Sequence, residues 1–316
     1  MAAGLVKRVI LASPRGFCAG VERAIETVER ALELHGAPVY VRKQIVHNAH
    51  VVRELESRGA VFVSEVDDVP EGAVCVFSAH GIAPAVRERA AALRLHAIDA
   101  TCPLVTKVHA QARRYAAEGR TVVLIGHAGH EEVEGTLGEA QDAIVLVESL
   151  DDVASFEPAD PERLAYITQT TLSVDDTAEI VAALKERFPA IRAPQTEDIC
   201  YATSNRQWAV KGLLREVDLL LVIGSRNSSN SNRLVETARA AGVEAQLIDD
   251  ESEIDERWLA NVETVGLTSG ASAPESLVQR VCDWFRDHGV AAIDAAPTVH
   301  EDVVFRLPVE LRRPAA

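Results

Sequence analysis

The chain has 316 residues, of which 47% are hydrophobic, 25% charged and only 4% aromatic, a balance typical of a globular protein with an aliphatic core. Its formal net charge of −16 argues against a nucleic-acid partner, because phosphate backbones are bound by clustered lysine and arginine. A small anionic ligand is not excluded, since it responds to local donors. The sequence has neither a secretory signal nor an apolar run of membrane-spanning length, so we expect a cytoplasmic protein with no membrane partner.

Strand, loop and helix alternate along the chain, which predicts an α/β fold with mainly parallel strands. In chain order the predicted strands are VKRVILAS, PVYVRKQIV, AVCVFSA, TVVLIG, LAYITQ, DLLLVIG and TVGLTSG. Most are followed by an amphipathic helix, of which VERAIETVERALELHG is the first. We predict three similar lobes, 1–96, 97–194 and 195–296, and a tail, 297–316, that packs back as an extended segment and closes over bound substrate.

Three cysteines lie close to predicted helix starts, where the helix dipole favours a thiolate. Cys18, Cys102 and Cys200 are separated by 102 − 18 = 84 and 200 − 102 = 98 residues, unlike the local cysteine pairs of structural zinc sites. Three ligands leave one metal position open for catalysis, and a cubane iron–sulfur cluster with one unligated iron fits this pattern. Cys75 and Cys282 lie in apolar segments and are predicted to be core residues.

Each predicted lobe also carries two polar loops after the carboxyl ends of strands, the position where open α/β sheets bind ligands. The loops contain His47 and His80, then His130, Glu132 and Thr170, then Ser228, Asn230 and Ser272. This repetition predicts a pseudo-threefold arrangement of lobes around one central site. The serine- and asparagine-rich loops before helices indicate phosphate binding, and the GHAGHEEVEG segment supplies groups for proton transfer. Without a GxGxxG motif, electrons would come from a separate carrier protein.

The segments PRGFCAGVERAI, VHN, SAHG, DATCPLV, GHAGHEEVEGT, TQTTLSVDDT, EDICYATSNRQ, GSRNSSNSNRL and SGASAP together resemble the 4-hydroxy-3-methylbut-2-enyl diphosphate reductase family. The resemblance runs from about Val9 to Leu311. It implies a 4Fe–4S cluster held by Cys18, Cys102 and Cys200. It implies that Glu132, Thr170 and His130 are catalytic, and that the substrate is bound by His47, His80, His130, Thr170, Ser228, Ser229, Asn230 and Ser272.

The implied reaction is reductive dehydroxylation to isopentenyl and dimethylallyl diphosphate, with ferredoxin or flavodoxin as the electron donor. One departure is visible: many family members have proline before the catalytic glutamate, where this chain has Glu131. We assign the role to Glu132, which matches the motif position. Two alternatives stay open: a three-cysteine iron–sulfur lyase of the quinolinate synthase type, which needs no electron donor, and a non-enzymatic metal- or phosphate-binding module.

Overall fold

The structure is a computed structural model that describes residues 6–297 and 299–312. The predicted first lobe therefore includes residues outside this description, namely 1–5, and the predicted tail includes Thr298 and 313–316. The described residues form twelve strands: β1 (Arg8–Leu11), β2 (Val39–Arg42), β3 (Ala60–Val63), β4 (Val74–Phe77), β5 (His96–Asp99), β6 (Thr121–Ile125), β7 (Ile144–Val147), β8 (Leu164–Thr168), β9 (Leu219–Ile223), β10 (Glu244–Ile248), β11 (Thr264–Ser269) and β12 (Ala292–Ala295).

The same residues form ten α-helices: α1 (Ala19–His35), α2 (Ala49–Ser57), α3 (Pro84–Ala92), α4 (Pro103–Ala117), α5 (Glu131–Leu137), α6 (Leu150–Ser155), α7 (Val174–Arg187), α8 (Tyr201–Leu213), α9 (Ser229–Ala240) and α10 (Glu275–Asp287). Within this part of the chain, no helix is both long and apolar enough to cross a bilayer.

The strands form three sheets, with the orders β10-β9-β11-β1-β12, β3-β2-β4-β5 and β7-β6-β8. Every pairing in them is parallel. The prediction of three α/β lobes with parallel sheets is confirmed. Parallel sheets need helices on their faces to bury the strands, which explains why the interior strands β9 and β6 are almost fully buried.

The first strand pairs far from its own place in the chain. β1 lies between β11 and β12, with Val9 opposite Val265 and Ile293. A division of the chain at residue 96 groups β1 with β2 and β4, whereas its hydrogen-bonding partners belong to the last third of the sequence. The buried faces of β1 and β11 supply Val9, Leu11, Val265 and Leu267 to one hydrophobic cluster. This pairing therefore buries the apolar side chains of β1.

The described chain divides into two compact units. The first unit comprises the residues up to Ala19, then His47–Val51 and Tyr201–Val304, and it contains the five-stranded sheet. The second unit comprises Gly20–Val46, Val52–Cys200 and the residues from Phe305 onward, and it contains the other two sheets. Two of the three predicted lobes therefore share one unit.

The described part of the tail has no strand or α-helix, and only Val309–Leu311 form a 3₁₀ turn. Leu311 is buried, and the Arg306 carbonyl accepts a hydrogen bond from Nε of Arg23 on α1 at 2.8 Å. Residues 305–312 therefore pack on the second unit through both apolar and polar contacts. Closure of the tail over a substrate stays a prediction.

Candidate active site

In the first unit, the amino end of α9 lies against the carboxyl ends of β9 and β11. A Cβ atom at Gly224 or Gly270 would lie only 2.2 or 2.1 Å from Ser231 Oγ, so a side chain at either position would push the helix away from the sheet. These glycines allow the helix start to approach the strand ends closely. A helix start of this kind, with its backbone N–H groups and the positive end of the helix dipole, can bind an anion.

The predicted anion-binding side chains of this unit form a connected group. Ser228 is the N-cap residue of α9, and Ser229 is the first residue of that helix. Asn230 accepts a hydrogen bond from the Ala271 N–H at 2.8 Å and donates to Thr203 Oγ1 at 3.2 Å. Asn230 therefore joins α9 to the loop after β11, which carries Ser272.

His47 belongs to the same group. The Ser272 hydroxyl donates to the His47 carbonyl at 2.9 Å, and the Asn227 amide donates to His47 Nδ1 at 3.1 Å. With Nδ1 accepting a hydrogen bond, a neutral His47 carries its proton on Nε2. Sequence reasoning did not single out Asn227, although it belongs to the same polar loop as Ser228.

In the second unit, Glu132 lies inside the protein and is held by one residue. One carboxylate oxygen accepts from the Thr170 N–H at 2.6 Å, and the other accepts from the Thr170 hydroxyl at 3.0 Å. Burial raises the pKa of Glu132 to about 7, an effect that the negative charge of Asp198 strengthens and the Thr170 hydrogen bonds oppose. At neutral pH this carboxyl group is therefore poised to give up a proton, as a general acid must be.

The neighbouring acids have other partners. The Glu131 carboxylate lies 3.1 Å from His80 Nδ1, and Glu134 forms an ion pair with Lys43 at 3.0 Å. Of the three acids in this segment, Glu132 is the one with a buried side chain. The three acids therefore do not all point inward. Their different directions follow from helical spacing, because successive residues at the start of α5 point to different faces.

His80 and His130 are neutral in this environment. Burial lowers the pKa of each to about 4, with further lowering at His80 from Lys43 and at His130 from His80. Their rings meet edge to face with centroids 5.9 Å apart. His130 is the N-cap residue of α5 and accepts from the Glu132 N–H through Nδ1. A bound polyanion would favour the protonated form of both rings and raise their pKa values.

Gly81 allows the loop that carries His80 to lie close to two helices. Its φ is +87°, and a Cβ atom there would lie 2.8 Å from Cε1 of His109 on α4. On the other side, a Cβ atom at Gly135 on α5 would lie 3.2 Å from the Gly81 carbonyl carbon. The loop of His80 is thus held between the helix that follows Cys102 and the helix that carries Glu132, a close approach that only glycine permits.

The three predicted cluster cysteines all precede helices, and two of them follow strands directly. Cys18 lies between β1 and α1, and its N–H donates to the Ala271 carbonyl at 3.2 Å. Cys102 follows β5 and is the N-cap residue of α4. Cys200 precedes α8 but follows α7, and between these helices Arg192 forms an isolated bridge with Ala165.

The cysteines also differ in their surroundings. Cys18, Cys102 and Cys200 are partly exposed, whereas Cys75 and Cys282 are buried among apolar side chains. Burial raises the pKa of the Cys75 thiol to about 11 and also raises that of Cys282. The prediction that Cys75 and Cys282 are core residues is confirmed.

The site residues therefore form two groups, one in each unit. The first unit brings together His47, Ser228, Ser229, Asn230 and Ser272, and also holds Cys18. The second unit brings together His80, His130, Glu132 and Thr170, and also holds Cys102 and Cys200. Sequence reasoning missed Lys43, whose charge acts on His80, and Asp198, whose charge acts on Glu132. No sequence signal marks Lys43, whereas Asp198 lies within the EDIC segment.

We expect the variant Glu132→Gln to be more stable relative to the parent protein at pH 8 than at pH 5. Between the ordinary pKa of 4.5 and the folded value of about 7, the folded protein holds a proton that the unfolded chain has released. Raising the pH through this window therefore lowers the free energy of unfolding of the parent, by about 2 kcal/mol. Glutamine does not titrate, so the variant loses this dependence.

Urea unfolding at both pH values measures the difference. His80 and His130 are present in both proteins, so their contributions cancel in the comparison. An unchanged stability difference between pH 5 and pH 8 would contradict the raised pKa of Glu132.

Comparison with known proteins identifies the family of the chain. The sequence profile of the LytB protein family matches residues 9–286. The 4-hydroxy-3-methylbut-2-enyl diphosphate reductase of Acidothermus cellulolyticus is 58% identical over 308 residues, which cover 97% of this chain and 91% of that protein. The enzyme of the same name from Nocardia farcinica is 58% identical over 311 residues, covering 98% and 93%.

A solved structure is also similar over nearly the whole length. The E-1-hydroxy-2-methyl-but-2-enyl-4-diphosphate reductase from Plasmodium falciparum matches with a TM-score of 0.94 and 42% sequence identity, covering 97% of each chain. These relatives carry the name that the sequence motifs indicated, so the predicted resemblance is confirmed, and neither the lyase nor the binding-module alternative is favoured. The match to the family profile and the identity to its members establish that the chain belongs to the LytB protein family.

Proposed function

We propose that the protein is a 4-hydroxy-3-methylbut-2-enyl diphosphate reductase, which removes the allylic hydroxyl group of its substrate. Two electrons and two protons replace the hydroxyl by hydrogen and release it as water, giving isopentenyl and dimethylallyl diphosphate. The observation that carries the proposal is the buried carboxyl group of Glu132, held by Thr170 and with its pKa raised to about 7. Membership of the LytB family supports the same reaction.

The residues that we propose as diphosphate ligands all offer hydrogen-bond donors. Ser228, Ser229, Asn230 and the amino end of α9 offer neutral donors in the first unit, together with Ser272 and His47. In the second unit His80 and His130 are neutral until an anion arrives. Protonation of these rings on binding would add charge-assisted hydrogen bonds, which orient the substrate without leaving uncompensated positive charge in the unliganded protein.

Glu132 would supply a proton to the reacting end of the substrate. A carboxyl group with a pKa of about 7 is protonated in a substantial fraction of molecules at neutral pH, yet is acidic enough to protonate a leaving oxygen. Thr170 holds the carboxylate through its N–H and its hydroxyl. Through that hydroxyl Thr170 would pass on the proton that replaces the one given up by Glu132.

The donor set fits an iron–sulfur cluster, whose usual ligands are cysteine thiolates. Cys18, Cys102 and Cys200 are partly exposed thiols at helix starts, a position that favours the thiolate form, and Cys75 and Cys282 are buried elsewhere. The first three would hold a 4Fe–4S cluster. When bound, such a cluster supplies electrons and a Lewis-acidic iron for cleavage of a carbon–oxygen bond. A ferredoxin or flavodoxin would deliver the electrons.

The test is the anaerobic oxidation of reduced methyl viologen by the reconstituted protein, with and without 4-hydroxy-3-methylbut-2-enyl diphosphate. We expect oxidation that depends on substrate, with isopentenyl and dimethylallyl diphosphate as products. Viologen that stays reduced in the presence of substrate, despite a complete cluster, would refute the proposed function.

A further inference from the structure

Asp198 is a buried carboxylate that takes no direct part in the proposed reaction. Its side chain is 0% exposed, and both of its oxygens are occupied. Oδ1 accepts from Gln111 Nε2 at 2.8 Å and lies 3.1 Å from Lys107 Nζ, and Oδ2 accepts from the Thr168 N–H at 3.2 Å. One side chain thus joins helix α4, the end of strand β8 and the segment that leads to Cys200.

Lys107 strengthens the same connection. Besides its ion pair with Asp198, its ammonium group donates to the Glu197 carbonyl at 2.6 Å and to Thr196 Oγ1 at 3.0 Å. Helix α4 is therefore attached to three successive residues of the 196–198 segment. The positive charge of Lys107 also compensates a carboxylate that would otherwise be costly to bury.

Each segment joined by Asp198 leads directly to a site residue. Helix α4 begins after its N-cap residue Cys102. Strand β8 runs into Thr170, which holds Glu132. Cys200 lies two residues after Asp198, and its N–H donates to the Thr170 carbonyl at 3.0 Å. The segments that Asp198 joins thus lead to Cys102, to Cys200 and to Thr170, which holds Glu132.

We propose that Asp198 is a positioning residue which, with Lys107 and Gln111, holds the backbone of Cys102 and Cys200 in the arrangement that receives the iron–sulfur cluster. The inference rests on the proposed function and deepens it. A carboxylate suits this place because it has two acceptor oxygens and no donor, whereas an amide has one acceptor oxygen and would leave one partner unpaired. The variant Asp198→Asn must lose either the hydrogen bond from the Thr168 N–H or the contacts with the α4 side chains.

The test measures the alkylation rate of each cysteine in the cluster-free protein, by mass spectrometry after anaerobic treatment with iodoacetamide. In Asp198→Asn we expect Cys102 and Cys200 to react about tenfold faster, because an unpaired buried donor favours local opening of these segments. Cys18 is anchored in the first unit by Ala271, and its rate should not change. Iron bound per chain after reconstitution should fall well below that of the parent.

Asp152→Asn is the matched control, since Asp152 accepts hydrogen bonds from Ser149 and the Glu148 N–H at the start of α6. This variant should lose stability without altering the cysteine rates or the iron content. Lys107→Met is a second variant, to be used if Asp198→Asn fails to fold. It keeps Asp198 bonded to Gln111 and Thr168, and it should also accelerate the alkylation of Cys200.

Equal acceleration of all three cysteines, or no acceleration, would overturn the proposal, because either result removes the specific link to Cys102 and Cys200. Selective acceleration with a normal iron content would also overturn it, since the contacts of Asp198 would then not be needed for cluster binding. None of these readouts depends on turnover. Failure of the viologen assay with selective acceleration would therefore count against the proposed function alone.

Discussion

Replacing Glu132 with glutamine is expected to lower turnover about a thousandfold, within the range that general acid catalysis contributes. Glutamine keeps the size of the side chain and an oxygen that accepts from the Thr170 N–H, so the fold should be preserved. It has no acidic proton, so the step that needs one should fail. The measurement is substrate-dependent oxidation of reduced methyl viologen, with the Michaelis constant and the turnover number determined separately.

Glu131→Gln is the matched control in the adjacent position. Glu131 contacts His80 rather than Thr170, so its loss should weaken substrate binding through a poorly oriented imidazole and leave most of the turnover number. We expect the Michaelis constant to rise by up to about tenfold. If Glu131→Gln abolished turnover and Glu132→Gln spared it, the assignment of the proton donor would be reversed.

Replacing Cys18, Cys102 or Cys200 singly with serine is expected to abolish turnover and to leave the reconstituted protein with an incomplete or unstable cluster. Serine is nearly the same size as cysteine, but its hydroxyl is not a thiolate and binds iron far less well. Iron and sulfide per chain, together with the electron paramagnetic resonance signal of the reduced protein, report the loss directly.

The other two cysteines provide the control. Cys75 and Cys282 are buried in apolar clusters, so their serine variants should lose about 1–3 kcal/mol of stability from an unsatisfied buried hydroxyl. Their iron content and spectrum should stay those of the parent. A normal cluster in any one of the Cys18, Cys102 or Cys200 variants would remove that residue from the ligand set.

The strands that sequence reasoning found and missed follow one physical rule. The predicted strands include every interior strand of the three sheets, where burial favours apolar residues. The five strands that were missed are β3, β5, β7, β10 and β12, and each lies at an edge of its sheet. Of these, β5, β10 and β12 mix apolar with polar residues, as HAID in β5 does, whereas β3 and β7 are apolar but have only four residues and are only partly buried. The edge strand β8 is fully buried, and its apolar run was predicted.

The sequence also predicts only part of the site. Glycine, serine, asparagine, histidine and cysteine in loops beside helix starts mark a ligand site in the sequence, because these residue types are needed there whatever lies around them. Which of Glu131, Glu132 and Glu134 is buried depends on the direction of α5 and on its partner Thr170, 38 residues away. The raised pKa of Glu132 is a consequence of that burial and has no local sequence signal.

The sequence by itself determined the α/β class, the interior strands, most of the helices and the family, since these depend on local periodicity and on motifs that can be recognised residue by residue. Only the tertiary structure decided that β1 pairs with β11 and β12, that Glu131 contacts His80, and that Asp198 joins α4 to β8. The reason is that these contacts join residues far apart in the chain, and their energy comes from packing and burial that exist only when both partners are in place.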